Sequence, residues 1–142
     1  MLTVRLAESK GDVETCLRLR WTVFVEEQGV PPSLEVDEHD ASSAVHALAL
    51  WKGVPCGTGR FVLAQGVARI GRMAVIDDVR RKGAGAALLL FLEEEARKRG
   101  ARQFLLWAQV GARRFYERHG YAAQGAEFEE AGLLHIEMTR AA

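Results

Sequence analysis

The sequence has no long apolar segment and no excess of charge of either sign. The longest stretch without charged or strongly polar residues, Gly83 to Leu92, is too short to span a bilayer. Residues 1–10 lack the apolar core and cleavage site of a secretory signal. Nineteen basic residues balance nineteen acidic ones, so net charge gives no attraction to nucleic acid or to anionic membranes. We therefore expect a cytoplasmic protein with neither of these partners.

Cysteine and nucleophile motifs are also scarce. The two cysteines, Cys16 and Cys56, belong to no CxxC motif, and in a chain without a secretory signal they are expected to stay reduced. The serines lie in no GxSxG motif, which removes the usual sequence sign of a hydrolase triad.

An acidic segment runs from Glu26 to Asp40 without a lysine or arginine. Its densest part, Asp37-Glu38-His39-Asp40, lacks EF-hand spacing and has no HExxH or CxxC partner, so we predict a surface loop and no metal. The segment could attract a cationic amine, although a solvated loop explains its composition equally well.

The patterning predicts one domain over residues 1–142 with an α+β (mixed α/β) fold. The chain is 49% hydrophobic and 27% charged, which is typical of a globular domain. Apolar alternation predicts strands near residues 2–6, 44–51, 59–64, 67–76, 104–109 and 133–139. Helical periodicity predicts helices from about 12 to 29, from 84 to 100 and from 112 to 119. One crossover should make the strands at 70–76 and 104–109 parallel in an otherwise antiparallel layout.

The strongest chemical signal is Arg80-Arg81-Lys82-Gly83-Ala84-Gly85, between a predicted strand and the predicted long helix. Glycine lets the backbone approach a ligand, the first helical turn has unpaired N–H groups, and the helix dipole favours negative charge there. With three cations beside it, the loop predicts a phosphate or pyrophosphate site. A solvated charge run beside two helix-start glycines is the alternative.

Two nucleotide motifs fail at this loop. A Walker loop continues with lysine and then serine or threonine, where this chain has Ala86 and Ala87. A dinucleotide fingerprint requires a third glycine, where this chain has Leu88, and an early βαβ unit, where it has a predicted antiparallel meander.

Arg80, Gly83 and Gly85 match the Arg/Gln-x-x-Gly-x-Gly/Ala loop of the GNAT N-acetyltransferases. The segment Ala112-Arg113-Arg114-Phe115-Tyr116-Glu117-Arg118-His119-Gly120-Tyr121 resembles the A-x-x-F-Y-x-x-x-G-F/Y segment that follows the family's fifth strand. Further segments resemble the ElaA-like branch of the family: residues 20–28 with Asp37 and Asp40, and residues 71–75, 108–109 and 128–135. The resemblance covers about residues 18–138. It implies a GNAT fold, with a mostly antiparallel central sheet flanked by helices and splayed between strands 4 and 5.

The same resemblance implies acetyl-CoA as co-substrate and no metal. It implies transfer of the acetyl group to a primary amine of a small molecule or peptide, by direct attack in a ternary complex. It places the thioester oxygen near backbone N–H groups at Ala74 and Val75. A homodimer is left open. The implied cofactor-binding residues are Met73, Ala74, Val75, Arg80, Arg81, Lys82, Gly83, Ala84, Gly85, Ala86, Gln109, Ala112, Phe115 and Tyr116.

Tyr116 is the candidate general acid for the departing CoA thiolate, because a tyrosine hydroxyl in a protected site can supply a proton. Its alternative is a core aromatic residue beside Phe115. Two other functions remain open at this stage. One is a CoA-binding sensor or interaction module without catalysis, and the other is a non-enzymatic nucleotide-phosphate binder.

Three residues within the ElaA-like resemblance could take the proton from the amine: Glu27, Glu130 and His135. Each also has a simpler explanation. Glu27 could be a solvated charge, Glu130 a loop carboxylate and His135 a hydrogen-bonded structural histidine. Many GNAT enzymes carry a general-base glutamate on the fourth strand. Residues 69–74 of this chain, which read Arg-Ile-Gly-Arg-Met-Ala, contain none.

Overall fold

The computed structural model describes residues 1–35, 37, 40, 43–76, 80 and 82–142. Seven strands form one sheet: β1 (Leu2–Leu6), β2 (Ala44–Trp51), β3 (Val54–Ala64), β4 (Val67–Val75), β5 (Gln103–Gln109), β6 (Ala122–Glu130) and β7 (Leu133–Ala141). Their order across the sheet is β1-β2-β3-β4-β5-β7-β6. Among these described strands only β4 and β5 pair in parallel, which confirms the predicted mixed, mostly antiparallel fold.

Short helical segments connect and cover the sheet. They are α1 (Lys10–Arg20), a π-helical continuation (Trp21–Glu27), α2 (Pro32–Glu35), α3 (Ala84–Lys98), a 3₁₀ turn (Val110–Ala112) and α4 (Arg113–Arg118). Helix α1 begins at Lys10, close to the predicted start near residue 12, and Ser9 caps it, since its hydroxyl accepts a hydrogen bond of 3.0 Å from the Asp12 amide. Over the described ranges, none of these helices has the length and apolarity needed to cross a membrane.

Helices α1 and α3 cover opposite faces of the sheet. On β2, Ala47 and Ala49 belong to the core that includes Leu88 and Leu92 of α3, whereas Leu48 between them packs with Cys16 of α1. Successive side chains of a strand point to opposite faces, so the two helices lie on different sides. Each fully buried leucine contributes roughly 1.5–3 kcal/mol, and this packing fixes the start of α3 against the sheet.

Strands β4 and β5 pair over only part of their length. The parallel register runs from Val67 opposite Gln103 to Ile70 opposite Leu106. Beyond it, β4 continues to Val75 and β5 to Gln109, and over these described residues the two strands do not pair with each other. The parallel neighbours are confirmed, but the predicted overlap at residues 70–76 is wrong beyond residue 70, because the strands separate there. The splay predicted between strands 4 and 5 is therefore present.

A β-bulge in β4 lies where the splay begins. Thr58 pairs with Ala74 while Arg60 pairs with Gly71, so β4 has one more residue than β3 in this interval. Arg72 takes up the extra length with φ +50°, a left-handed conformation that non-glycine residues adopt only rarely.

The bulge reverses the alternation of side chains along β4. Ala68 and Ile70 lie in the α3 core before it, and Met73 and Val75 pack against the same core after it. Strict alternation would have placed residues 70, 72 and 74 on one face. The inserted residue instead turns Met73 toward α3 and sends the Arg72 side chain to α2, where it contacts Glu35.

Strand β6 was not predicted, and β3 is longer than predicted. β6 is an exposed edge strand with glycine and polar residues, and its register with β7 is interrupted between Gln124 and Phe128. Such a strand lacks the apolar alternation on which strand prediction depends. Strand β3 begins at Val54 rather than near residue 59 because pairing with β2 extends it.

Candidate active site

A cavity of about 900 Å³ lies where β4 and β5 separate, within the usual size of a small-molecule site. The predicted site residues that line it are Glu27, Met73, Ala74, Val75, Arg80, Gln109, Ala112, Tyr116, Glu130 and His135. All four candidate catalytic side chains therefore share one cavity, although they come from the π-helix, α4, β6 and β7.

The predicted phosphate loop lies at the start of α3. Gly83 precedes the helix with φ +84°, a conformation that glycine adopts without steric cost. The Ala87 amide donates the first helical hydrogen bond to the Gly83 carbonyl at 3.0 Å. The amides of Ala84 to Ala86 come before this bond and have no partner within the helix.

The other predicted cofactor residues border this loop rather than the cavity. A side chain at Gly85 would meet the Phe115 ring at 3.6 Å, so Phe115 packs directly against the first turn of α3. The Lys82 ammonium lies 5.4 Å from the ring centre of Trp51. Arg81 lies outside the described residues.

Arg80 and Glu27 form a forked ion pair. Two guanidinium nitrogens of Arg80 donate to the two carboxylate oxygens of Glu27, each at 2.6 Å, and its Nε donates to the Val75 carbonyl at 2.8 Å. The hydrogen bond from Arg80 lowers the pKa of Glu27. This pairing makes Glu27 a weaker base than an unpaired glutamate and joins the π-helix to β4.

The Tyr116 hydroxyl lies beside the bulged strand, donating to Met73 Sδ at 3.7 Å. The rings of Phe115 and Tyr121 lie edge-on to the Tyr116 ring, with their centres 5.0 and 5.9 Å from its centre. Burial raises the pKa of Tyr116 to about 12. The phenol therefore keeps its proton at neutral pH, the state that a general acid requires.

The backbone holds one ring nitrogen of His135. Its Nδ1 lies 2.9 Å from the Leu133 carbonyl, and because a carbonyl only accepts, Nδ1 carries the hydrogen. In the neutral ring Nε2 is then the acceptor, as a proton acceptor would need. Glu130 follows on the neighbouring strand, exposed, just before the two-residue turn Ala131-Gly132.

A buried ion network forms part of the cavity wall and extends behind it. Arg20 is 1% exposed and donates to Glu35 Oε1 at 2.5 Å and to Asp40 Oδ1 at 2.6 Å. Burial by itself would raise the pKa of Asp40, but hydrogen bonds from Arg20 and from the Asp37 amide, with the charges of Arg20 and Arg60, hold it below its ordinary value.

The network extends to the bulge in β4. Arg60 donates to Asp37 at 2.6 and 2.5 Å and to Asp40 at 2.8 Å. Arg72 donates to the Glu35 carbonyl at 3.1 Å. The side chain of the bulged residue is thus tied to α2 and the segment after it.

The expectation of a solvated acidic loop is wrong for Glu35 and Asp40, which are buried. The sequence window from 26 to 40 contains no cation, but the tertiary structure brings Arg20, Arg60 and Arg72 to it from other elements. Glu38 and His39 lie outside the described residues.

Several cavity residues were not predicted as site residues. Gln28 exchanges amide hydrogen bonds with Gln109 at 2.9 and 3.4 Å, which ties the π-helix to the end of β5. Arg69 and Trp107 also line the cavity. Gln28 belongs to the ElaA-like segment and could have been found there. The approach of Arg69 to Trp107 depends on the register of β4 and β5, which no local pattern gives.

The fold and this cavity define an N-acetyltransferase of the GNAT type. Residues 9–142 match the family described as the acetyltransferase (GNAT) domain. A Bacillus subtilis strain 168 protein, named as a candidate acetyltransferase, is 34% identical over 141 residues, covering 98% of this chain and 96% of the relative. The chain therefore belongs to the GNAT acetyltransferase family.

Solved structures agree with this assignment. ElaA of Escherichia coli is 25% identical with a TM-score of 0.87 and 99% coverage of both chains, as expected from the ElaA-like segments. An aminoglycoside 6′-N-acetyltransferase solved with coenzyme A shares the fold at 14% identity, with a TM-score of 0.74 and coverage of 99% of this chain and 96% of that one.

Proposed function

We propose that this protein transfers the acetyl group of acetyl-CoA to a primary amine by direct attack in a ternary complex, within one catalytic domain over residues 1–142. The observation that carries the proposal is the position of the Tyr116 hydroxyl. It is protonated, protected and adjacent to the bulged strand, in the cavity that opens beside the glycine loop.

The loop would hold the CoA pyrophosphate. The amides of Ala84 to Ala86 and the positive end of the α3 dipole favour an anion at this position. Arg80 lies on the cavity side of the loop, and Arg81 and Lys82 add positive charge nearby. The gap between β4 and β5 leaves room for the pantetheine arm to reach Met73 and Gln109.

The chemistry requires three groups around the thioester. Backbone N–H groups at Ala74 and Val75 would stabilise the negative charge that develops on the thioester oxygen. As the amine nitrogen bonds to the carbonyl carbon and the C–S bond breaks, Tyr116 would donate its proton to the sulfur. The tyrosinate then recovers a proton from solvent.

A proton acceptor must also receive the proton that the amine loses. His135 fits this role because its Nε2 is left as the acceptor, and exposed Glu130 lies close in the chain on the paired strand. Glu27 is the third candidate, but its ion pair with Arg80 favours a role in holding that arginine.

A panel of amines assayed for CoA release from acetyl-CoA tests the proposal. Release that depends on an amine supports it, and a cofactor-only control corrects for thioester hydrolysis. If acetyl-CoA stabilises the fold but no amine increases CoA release, the protein is a CoA-binding sensor or interaction module instead. Stabilisation by ATP or NAD and not by CoA would favour a nucleotide-phosphate binder.

A further inference from the structure

Most of the charge on the cavity wall is neutralised within the protein. The charged lining residues are Glu27, Glu35, Asp37, Arg60, Arg69, Arg72, Arg80 and Glu130. Glu27 pairs with Arg80, Asp37 with Arg60 and Arg72, and Glu35 with Arg20 behind the wall. Two charges of opposite sign remain, Arg69 and Glu130. Neither forms an ion pair with any residue in the ranges that the structure describes.

Arg69 is held in place by an aromatic face. Its guanidinium carbon lies 5.0 Å from the ring centre of Trp107, within the range of a cation–π contact. The indole is itself fixed, because its Nε1 donates to Glu137 at 3.2 Å. A guanidinium positioned by a ring has N–H donors left for a carboxylate, which it can bind through two parallel hydrogen bonds.

A row of rings leads from Arg69 to the candidate proton acceptors. Trp107 meets Phe128 edge-on with ring centres 5.2 Å apart, and Phe128 stacks on His135 at 5.9 Å. Glu130 lies two residues after Phe128, on the same side of β6. The row is therefore apolar between a cation at one end and a carboxylate and an imidazole at the other.

We infer that the acceptor is an amine that also carries a carboxylate, with an apolar spacer between the two groups. Arg69 binds the carboxylate, Trp107 contacts the spacer, and the amine lies near Glu130 and His135, which Phe128 supports from behind by stacking on the imidazole. An α-amino acid carries both groups on one carbon and cannot reach both ends of the row. This inference rests on the proposed acetyl transfer.

The test compares four acceptors: 6-aminohexanoate, hexylamine, 1,6-diaminohexane and leucine. Because hydrogen bonds to charged groups are the stronger ones, kcat/KM for 6-aminohexanoate should exceed that for hexylamine by roughly 10–100-fold. Leucine should be a poor acceptor. Arg69→Gln should remove the preference, and Arg69→Glu should shift it toward the diamine.

Arg18→Glu is the matched control, because Arg18 is exposed on α1 and does not line the cavity. It makes the same charge change and should leave the preference intact. Thermal melts of the three variants check that folding is retained, as expected for exposed side chains.

A second readout separates this inference from the proposed function. Calorimetry measures binding of 6-aminohexanoate and hexylamine to the protein saturated with CoA. Binding that favours 6-aminohexanoate and depends on Arg69, without any acetyl transfer, supports the ligand class and defeats the proposed function. Transfer to all four amines at similar kcat/KM, or a preference unchanged in Arg69→Gln, overturns the inference and leaves the function standing. Absence of both binding and transfer overturns both.

Discussion

Glu27 and Arg80, 53 residues apart in the chain, bind each other through two hydrogen bonds of 2.6 Å. One was predicted as a candidate base and the other as a phosphate ligand. In the structure each of these two residues instead binds the other. The ion pair connects the π-helix to the loop before α3, and it places a carboxylate where it would compete with the proposed pyrophosphate for the arginine.

Replacing Glu27 with Gln tests this competition. We expect acetyl-CoA to bind more tightly, by up to about fivefold because exposed ion pairs contribute roughly 0–1 kcal/mol. The kcat should stay within a few-fold of the parent. Calorimetry and steady-state kinetics measure the two effects. Glu94→Gln, which breaks an exposed pair with Arg97 on α3, should change neither. A large drop in kcat with unchanged affinity would instead identify Glu27 as the base.

Acetyl-CoA at 100 times its Kd should raise the unfolding free energy by about 2.7 kcal/mol. Gly83→Ala should weaken this stabilisation, because a side chain at φ +84° strains the loop that we propose receives the pyrophosphate. Gly100→Ala is the control, since Gly100 has φ +99° and open space at the other end of the same helical region. Both variants should lose similar stability without ligand, but only Gly83→Ala should lose the ligand-induced shift in Tm. An equal shift in both would remove the loop from the CoA site.

Gly85→Val adds a steric test of the same loop. Its new side chain would press on the Phe115 ring, which lies 3.6 Å from the position of the added carbon. We expect the acetyl-CoA shift in Tm to be lost here as well, with the apo fold nearly unchanged.

Tyr116→Phe removes only the hydroxyl. If Tyr116 is the general acid, single-turnover acetyl transfer should slow by roughly 10²–10⁴-fold with little change in acetyl-CoA affinity. Tyr121→Phe is the matched control, because the Tyr121 hydroxyl donates to buried Glu93 at 2.7 Å and its loss should lower stability rather than rate. If Tyr116→Phe transfers the acetyl group at the parent rate, Tyr116 is not the general acid and only packs in the wall of the thiol pocket.

The proton acceptor can be identified by comparing His135→Gln with Glu130→Gln. The variant that lacks the true base should have a kcat lower by roughly 10²–10⁴-fold, and its pH–rate profile should lose the acidic limb. The other variant should change mainly KM. If neither variant slows the chemical step, a water molecule takes the proton and both side chains serve only to bind the amine.

Acid should weaken the fold through Asp40. Its pKa in the folded state lies below the ordinary 3.8, so its contribution is complete above that value and is lost as the pH falls toward the folded pKa. The unfolding free energy, measured in urea from pH 7 to pH 3, should therefore fall below about pH 4. Asp40→Asn should be less stable at neutral pH and show a flatter acid limb. Asp12→Asn, which breaks the more exposed pair with Arg5, should change the neutral-pH stability and the acid limb much less, because exposed ion pairs contribute little.

Local patterns were sufficient for much of the fold. The amphipathic α3 with glycine before it and the strands of the central meander, apart from the start of β3, were predicted correctly, because each depends on residues close in sequence. The family motifs added the splay between β4 and β5. They also supplied a set of site residues of which ten line one cavity.

Strand β6 and the bulge at Arg72 were beyond sequence reasoning. An exposed edge strand with little apolar alternation is defined by its pairing with β7, and the left-handed Arg72 by the register between β3 and β4. Neither pairing is encoded in a short window.

The sequence by itself determined the class of protein, because the GNAT motifs are built from residues close together in the chain and can be recognised from their order. Only the tertiary structure decided how the charges are used. Pairing depends on distances between residues far apart in the chain, such as Glu27 with Arg80 or Arg20 with Glu35. Those distances are set by the packing of α1, α2 and β4, and within the described chain they leave Arg69 and Glu130 as the cavity charges without an ion pair, the two that we propose bind the acceptor.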